Sequence, residues 1–285
     1  EEIDFDAVAA IYAEGGSSVN SDGSIRSLGG FATAEDRLHG LAEHYGTATP
    51  LDDFITSALE GTGPFEGAAD AGRRQGVQKG IQNQVMVAWT VHELNAALEK
   101  AAAGEFDPAE GAPHNWDEAW AFYHGAEPGC SAYATGDKRA ENFGTVGADG
   151  TTALANEAIL TAMNAGRDAL LAEDAEGAAA AAEEVERNLV IIYSQAAIRY
   201  ASVVSDDVAA GDLESAATHQ AEGLSFFRVI APIVAQTGAD VEAINAVFDL
   251  FGEPASAGGE DEVRAALQPA FDTLSIAAED IGELQ

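Results

Sequence analysis

Two passages of the chain repeat one pattern of residues, and this repeat constrains the fold more than any other feature. The passages cover about residues 80–124 and 186–232, and each places two apolar helical stripes on either side of a glycine, Gly104 or Gly211. When the glycines are aligned and three residues are deleted in the second connection, the superposed pairs are His92/Arg199, Asn115/His219, Glu118/Glu222 and Phe122/Phe226. Stripes at helical spacing that end at glycine predict helical hairpins. We therefore predict two related hairpins that face each other.

The remainder of the chain also has the composition of helices. Ala, Leu, Glu and Val dominate its long segments, and Gly and Pro gather between them. Helices are predicted near residues 4–14, 33–45, 50–60, 68–102, 115–124, 136–142, 151–172, 175–207, 211–237, 239–251 and 259–283, with irregular regions at 15–30 and 125–150. The sequence thus predicts an all-α bundle built from two helical-hairpin repeats, with residues 1–285 in a single domain.

The charge balance is strongly acidic. The chain has 49 Asp and Glu against 13 Lys and Arg, a net charge of −36, and 47% hydrophobic residues, which is the composition of a folded protein. The many acidic side chains repel one another in dilute buffer. At molar salt the Debye length is only about 3 Å, and this repulsion is screened. We interpret the acidity as adaptation to high salt. No basic stripe is present for a nucleic acid to bind.

Three further features limit the class of protein. A lone cysteine, Cys130, excludes an internal disulfide and a cysteine-rich metal site. No stretch reaches the ~20 apolar residues of a membrane span. The chain starts EEIDF without a basic and apolar leader, but removal of a signal peptide leaves the same kind of start, so this start does not decide localisation.

Several ionisable side chains fall on apolar helical faces. His92 shares a stripe with Trp89, and Arg199 shares one with Ala196. A guanidinium keeps its charge and needs an anion or several carbonyl groups. His219 and Glu222 are spaced i,i+3, which places an imidazole and a carboxylate on one helix wall.

We predict that His92, Glu118, His219 and Glu222 converge on one metal ion, with Arg199 beside them. Each residue also has a structural explanation, in which His92 is a hydrogen-bonded core histidine and Glu118 pairs with an arginine. Burying an ionised carboxylate without a partner costs several kcal/mol, which favours a site.

The segment YATGDKRAENFGT, in the middle of the irregular region 125–150, is a candidate wall of this site. Lys138, Arg139 and Phe143 offer cationic and aromatic anchors in an otherwise acidic chain. In one interpretation the segment is a clamp, in which Arg139 binds carboxylates and Phe143 fills a gap. In the other it is a lid that holds an anion beside the metal.

Motifs of common enzymes are missing from the sequence. We find no glycine-rich phosphate loop, nucleophile elbow or HExxH motif. A di-metal carboxylate oxidase needs about four Glu and two His on four helices, and this chain lacks two Glu-x-x-His copies. We therefore predict a protein that is not an enzyme.

Together with FEGAADAGRRQGVQKGIQNQ and NWDEAWAFYHG, the same segment resembles the algal low-iron-inducible periplasmic proteins, an iron-assimilating family. The resemblance covers roughly Ala58–Pro232 and is most specific at Asp137, Lys138, Arg139, Asn142, Phe143, Gly144 and Thr145. The chain is similar to the haloarchaeal-type secreted members of this family. The resemblance implies a secreted or cell-surface helical protein of iron acquisition or of a bicarbonate-related response. Algal members carry several cysteines, so any disulfide support in the family is absent here.

The residues and the resemblance together predict an extracellular metal-binding protein. Iron is favoured, although zinc and copper also accept His and Glu. Arg199, Lys138 and Arg139 would hold carbonate or another small anion, or lie in the second shell of the metal. The alternative is a non-catalytic structural or protein-interaction domain whose buried polar residues satisfy one another.

Overall fold

Helices form almost all of the regular structure in the part of the chain that the computed structural model describes, residues 3–34, 40–251 and 259–285. The α-helices are α1 (Phe5–Glu14), α2 (Leu28–Ala32), α3 (Leu41–Tyr45), α4 (Pro50–Glu60), α5 (Asp70–Lys79), α6 (Met86–Ala102), α7 (Ala112–His124), α8 (Ala132–Phe143), α9 (Leu154–Leu171), α10 (Ala175–Ala210), α11 (Leu213–Gln236), α12 (Val241–Val247), α13 (Gly259–Thr273) and α14 (Ala278–Ile281). In these residues the β-structure is limited to two isolated bridges, Val19 with Ile25 and Val146 with Ala153. The predicted all-α fold is confirmed.

Most predicted helices agree with the structure to within a few residues, and three regions differ. The helix predicted at 259–283 is divided into α13, which ends at Thr273, and the short α14. The helix predicted at 33–45 falls partly on residues 35–39, which lie outside the described residues; α2 ends before this gap and α3 begins after it. The helix predicted at 136–142, inside a region expected to be irregular, is the longer helix α8, which begins at Ala132 and ends at Phe143. Its Ser131 N-cap accepts a hydrogen bond from Ala134 N, and Gly144 ends it at φ +69°.

Two long helical hairpins match the two repeated passages. Helices α6 and α7 form the first, and α10 and α11 form the second. The predicted stops are at Gly104 and Gly211, whose φ angles of +78° and +79° suit glycine. The superposition of the hairpins as repeats stays a prediction, as does the single domain.

Helix α10 is the centre of the larger of two hydrophobic clusters. It packs against α9 and α11, and its middle turns, from Asn188 to Ile198, are buried on every side. The smaller cluster lies among α1, α3, α4, α5 and α6, and Leu224 of α11 packs against both clusters. None of the described helices is long and apolar enough to cross a membrane.

A π-helix joins α5 directly to α6, so that the three form one continuous helical segment. The π-helix covers Gly80–Val85, and π-helices are rare and concentrate at functional sites. A Cβ atom at Gly80 would lie 2.7 Å from Ile55 Cγ1, so glycine lets α4 pack closely here. The wider turn buries Asn83 and directs Gln82 and Gln84 into two separate cavities.

Candidate functional site

The cavity that holds Gln82 collects three basic side chains from two helices, α5 and α8. We call it the Arg139 pocket; it has a volume of about 210 Å³. Its lining residues are Gln78, Lys79, Gln82, Gly129, Cys130, Ala134, Thr135, Lys138, Arg139, Tyr200, Glu222 and Phe226. Lys79 and Lys138 are two of the three lysines in the whole chain, so the pocket concentrates a scarce charge.

Arg139 is the most unusual group in this pocket. It is 3% exposed, and its Nε and Nη1 atoms have no hydrogen-bond partner in the described part of the chain. Its guanidinium carbon lies 5.6 Å from the centroid of the Tyr200 ring. Burial lowers the pKa of Arg139, and the nearby positive charge of Arg199 lowers it further. A buried guanidinium with unused donors is arranged to accept an anion.

Glu222 and Tyr200 provide oxygen atoms beside Arg139. Glu222 is 7% exposed, and its Oε1 lies 3.2 Å from Lys79 Nζ. Burial raises the pKa of the Tyr200 phenol, and the Glu222 carboxylate raises it further, whereas Arg139 lowers it. The Tyr200 ring stacks on Phe226 at a centroid distance of 5.5 Å. The pocket therefore places a carboxylate, a phenol and a guanidinium together.

The position of Arg139 is fixed by the contacts of residues close to it on helix α8. Asp137 Oδ1 accepts hydrogen bonds from Ala153 N at 2.8 Å and from Asn156 Nδ2 at 2.7 Å. Gly136 allows this contact, since a Cβ atom there would lie 2.7 Å from Asn156 Oδ1. Phe143 is 1% exposed and fills the core. These contacts hold α8 on α9, and α8 also packs against α10.

The other predicted anion-binding residues differ in exposure. Lys138 is exposed and lines the mouth of the Arg139 pocket. Arg199 is half-buried on α10, and its buried Nε has no hydrogen-bond partner among the described residues. Arg139 interacts with the π face of Tyr200 and with the charge of Glu222, whose carboxylate already pairs with Lys79. This geometry differs from the clamp interpretation, in which carboxylates satisfy Arg139.

His219 lies next to the Arg139 pocket. Its Nδ1 is 2.6 Å from Asp207 Oδ2, and its ring centroid is 6.0 Å from that of Tyr200. Of the four predicted metal ligands, His219 and Glu222 are therefore both neighbours of Tyr200.

The other two predicted ligands belong to a different part of the fold. His92 is 9% exposed on α6 and lies against Trp89, with ring centroids 4.9 Å apart. Glu118 on α7 is half-exposed and pairs with His114 at 3.5 Å, not with an arginine. Both lie around Glu93, whose pKa is raised mainly by burial.

The predicted convergence of His92, Glu118, His219 and Glu222 is therefore not found in this arrangement. In residues 3–34, 40–251 and 259–285 no group of three or more His, Cys, Asp or Glu is close enough to hold a metal ion. The physical reason is that each of Glu118, His219 and Glu222 pairs with a nearby ionisable residue instead. A role of any of them in metal binding stays a prediction.

Three residues of the Arg139 pocket were missed in the sequence: Lys79, Gln82 and Tyr200. The scarcity of lysine was a usable signal for Lys79. Tyr200 was missed because it directly follows Arg199, and helical periodicity assigns adjacent residues to different faces of a helix. Nothing in the local sequence marks the π-helix that directs Gln82 into the pocket.

Comparison with known proteins identifies the family of the chain. No curated protein and no solved structure matches the chain. The family of low iron-inducible periplasmic proteins matches it over residues 3–285, well beyond the stretch that carries the sequence resemblance. The predicted family is therefore confirmed, and its description agrees with the predicted location outside the cytoplasm. The chain belongs to the low iron-inducible periplasmic protein family.

Proposed function

We propose that this protein is a non-enzymatic iron-binding protein, and that the Arg139 pocket binds an oxyanion together with ferric iron. Carbonate is the favoured anion because it is small, planar and dianionic. The family is described as low iron-inducible and periplasmic, which supports a role in iron assimilation outside the cytoplasm.

The observation on which this proposal rests is the state of Arg139. An unsatisfied buried donor costs about 1–3 kcal/mol, and Arg139 has two such atoms, Nε and Nη1, in the described structure. An oxyanion that accepts a charge-assisted hydrogen bond from a buried guanidinium satisfies such a donor. Lys138 at the mouth adds a second positive charge.

The metal ligands in this proposal are Glu222 and Tyr200, with His219 as a further candidate. Carboxylate and phenolate oxygens are hard ligands that suit ferric iron better than softer metals. Tyr200 keeps its proton in the metal-free protein because burial raises the pKa of its phenol, so iron binding has to release that proton. Oxygen atoms of the anion would complete the coordination.

Zinc and copper remain competitors, since both accept carboxylate and imidazole ligands. Phenolate coordination separates zinc from iron, because a ferric phenolate absorbs visible light through charge transfer and a zinc phenolate does not. Copper is separated from iron by elemental analysis. The alternative function, a structural or interaction domain, requires no binding of metal or anion at all.

The test is metal loading of the whole chain in high salt. The protein is incubated with ferric nitrilotriacetate, with or without bicarbonate, and then desalted for elemental analysis and visible spectroscopy. We expect stoichiometric iron and a charge-transfer band in the wild-type protein when bicarbonate is present. Tyr200→Phe should lose the band, and Arg139→Gln should lose the dependence on bicarbonate.

Glu118→Gln is the matched control, since it changes a predicted ligand that lies away from the pocket. It should bind iron like the wild-type protein. Retention of the band in Tyr200→Phe, or loss of iron in Glu118→Gln alone, would show that the ligands are elsewhere. Iron binding that is equal with and without bicarbonate would refute the role of the anion.

A further inference from the structure

A second and larger cavity lies on the other side of the π-helix. It has a volume of about 520 Å³, within the range of small-molecule sites. We call it the Arg228 cavity. It runs between α6 and α11, and its lining includes Gln84, Val91, Asn95, Glu186, Arg228 and Pro232.

Arg228 forms the positive end of this cavity. Its guanidinium carbon lies 3.9 Å from the ring centroid of Tyr45 and 4.5 Å from that of Phe54. Nε donates to Gln84 Oε1 at 3.2 Å, and Nη2 donates to Pro50 O at 3.1 Å. No ion pair of the described residues includes Arg228. Its position is fixed, and the Asp53 carboxylate acts on its charge without forming an ion pair with it in that part of the chain.

A proline in α11 helps to fix this end. Pro232 has no N–H group to donate to the carbonyl of Arg228, four residues earlier. The Tyr45 hydroxyl donates to that carbonyl instead, at 3.0 Å. The same hydrogen bond holds the Tyr45 ring on the guanidinium.

The opposite end of the cavity is acidic. Glu186 lines it together with Asn95 and also lines an adjoining cavity of about 150 Å³ that includes Glu183. Burial raises the pKa of Glu186, and the charge of Glu183 raises it further. The neighbouring Arg187 pairs with Glu184 and Asp280 instead. A cationic group at this end would relieve the repulsion between the two carboxylates.

The two ends are separated by an apolar middle. Along the π-helix and α6, Gln84 marks the level of Arg228 and Asn95 marks that of Glu186, a separation of about 16 Å at about 1.5 Å per residue. Val91 and Pro232 lie in the wall between these levels. A volume of about 520 Å³ over this length leaves room for one extended chain.

We propose that the Arg228 cavity binds a short linear zwitterion, with its carboxylate at Arg228 and its ammonium at Glu186. Extended chains advance about 3.3–3.6 Å per residue, so a peptide of four to five residues with small side chains and free termini has the matching length. Binding of this ligand goes beyond the proposed iron site and uses none of its residues.

Titration calorimetry with tetra-alanine tests the proposal. We expect wild-type protein to bind the free peptide at least tenfold more tightly than N-acetyl-tetra-alanine, and tenfold more tightly than tetra-alanine amide. In Glu186→Gln, the free and the N-acetylated peptide should bind equally. Glu176→Gln, on an exposed turn of the same helix, should behave like the wild type, and so should Arg139→Gln.

Three results would overturn the proposal: no heat from tetra-alanine with the wild-type protein, equal affinity for all three peptides, or unchanged discrimination in Glu186→Gln. The blocked peptides test both ends without changing the protein, so a variant that folds poorly leaves the test intact. Loss of iron binding with normal peptide binding, or the reverse, distinguishes the two proposals.

Discussion

Replacing Arg139 with Met should stabilise the protein when no anion is present. Met keeps an unbranched apolar stem of similar length but removes the charge and both unsatisfied donors, Nε and Nη1. Each such donor costs about 1–3 kcal/mol. The Tyr200 ring, with its centroid 5.6 Å from the guanidinium carbon, returns about 0.5–2 kcal/mol as a cation–π contact.

The expected net gain in the free energy of unfolding is about 1–3 kcal/mol. For a chain of this size each kcal/mol raises the melting temperature by about 2 °C. In the wild type, an anion at one hundred times its dissociation constant should add about 2.7 kcal/mol. Arg139→Met should not respond to the anion.

The assay is thermal unfolding by circular dichroism in high salt, with and without bicarbonate. Arg187→Met is the control, because Arg187 is paired with Asp280 at 2.5 Å and with Glu184 at 3.3 Å. It should lose up to about 1 kcal/mol and keep the bicarbonate response. A loss of stability in Arg139→Met without bicarbonate would refute our reasoning and favour the clamp interpretation.

Three further predictions concern packing, pH and salt. Gly166→Ala should cost about 1–3 kcal/mol in urea unfolding, because the new Cβ would lie 1.9 Å from Trp116 Cζ2, whereas Gly16→Ala meets nothing within 4 Å and should be neutral. Burial raises the pKa of Glu93, so the folded state keeps the proton of this carboxyl to higher pH than the unfolded state, and the free energy of unfolding falls as pH rises between the two pKa values. Measured by urea unfolding, the stability of Glu93→Gln relative to the wild type should therefore increase from about pH 5 to about pH 7. A difference in stability that stays constant over this range would contradict the prediction. The melting temperature should rise steeply from dilute buffer to molar KCl, because salt screens the net charge of −36, and no change with salt would exclude the halophile interpretation.

The sequence predicted the fold well because helical periodicity is a local signal. Glycine stops and apolar stripes placed α6, α7, α10 and α11 to within a few residues. The helix predicted at 136–142 was too short, since α8 begins four residues earlier at Ala132. In the structure Gly136 is where α8 packs closely on Asn156, a contact between residues distant in sequence.

The candidate site was predicted only in part. Lys138, Arg139 and Glu222 were identified from the rarity of basic residues and from the burial of a charge on an apolar face. The convergence on His92 is not found among the described residues, and helical phase gives the face of a residue but not which helix packs against it. Lys79 reaches Glu222 from α5, a helix outside both repeats.

The hydrogen bond between Tyr45 and the carbonyl of Arg228 makes two distant positions depend on each other. Pro232 leaves this carbonyl without a helical donor, and Tyr45, which lies 183 residues from Arg228 in sequence, supplies the missing one. A relative with another residue at position 232 would restore the helical bond and release the tyrosine. We therefore expect the proline and the tyrosine to covary among members of the family, so that each is kept or lost together with the other.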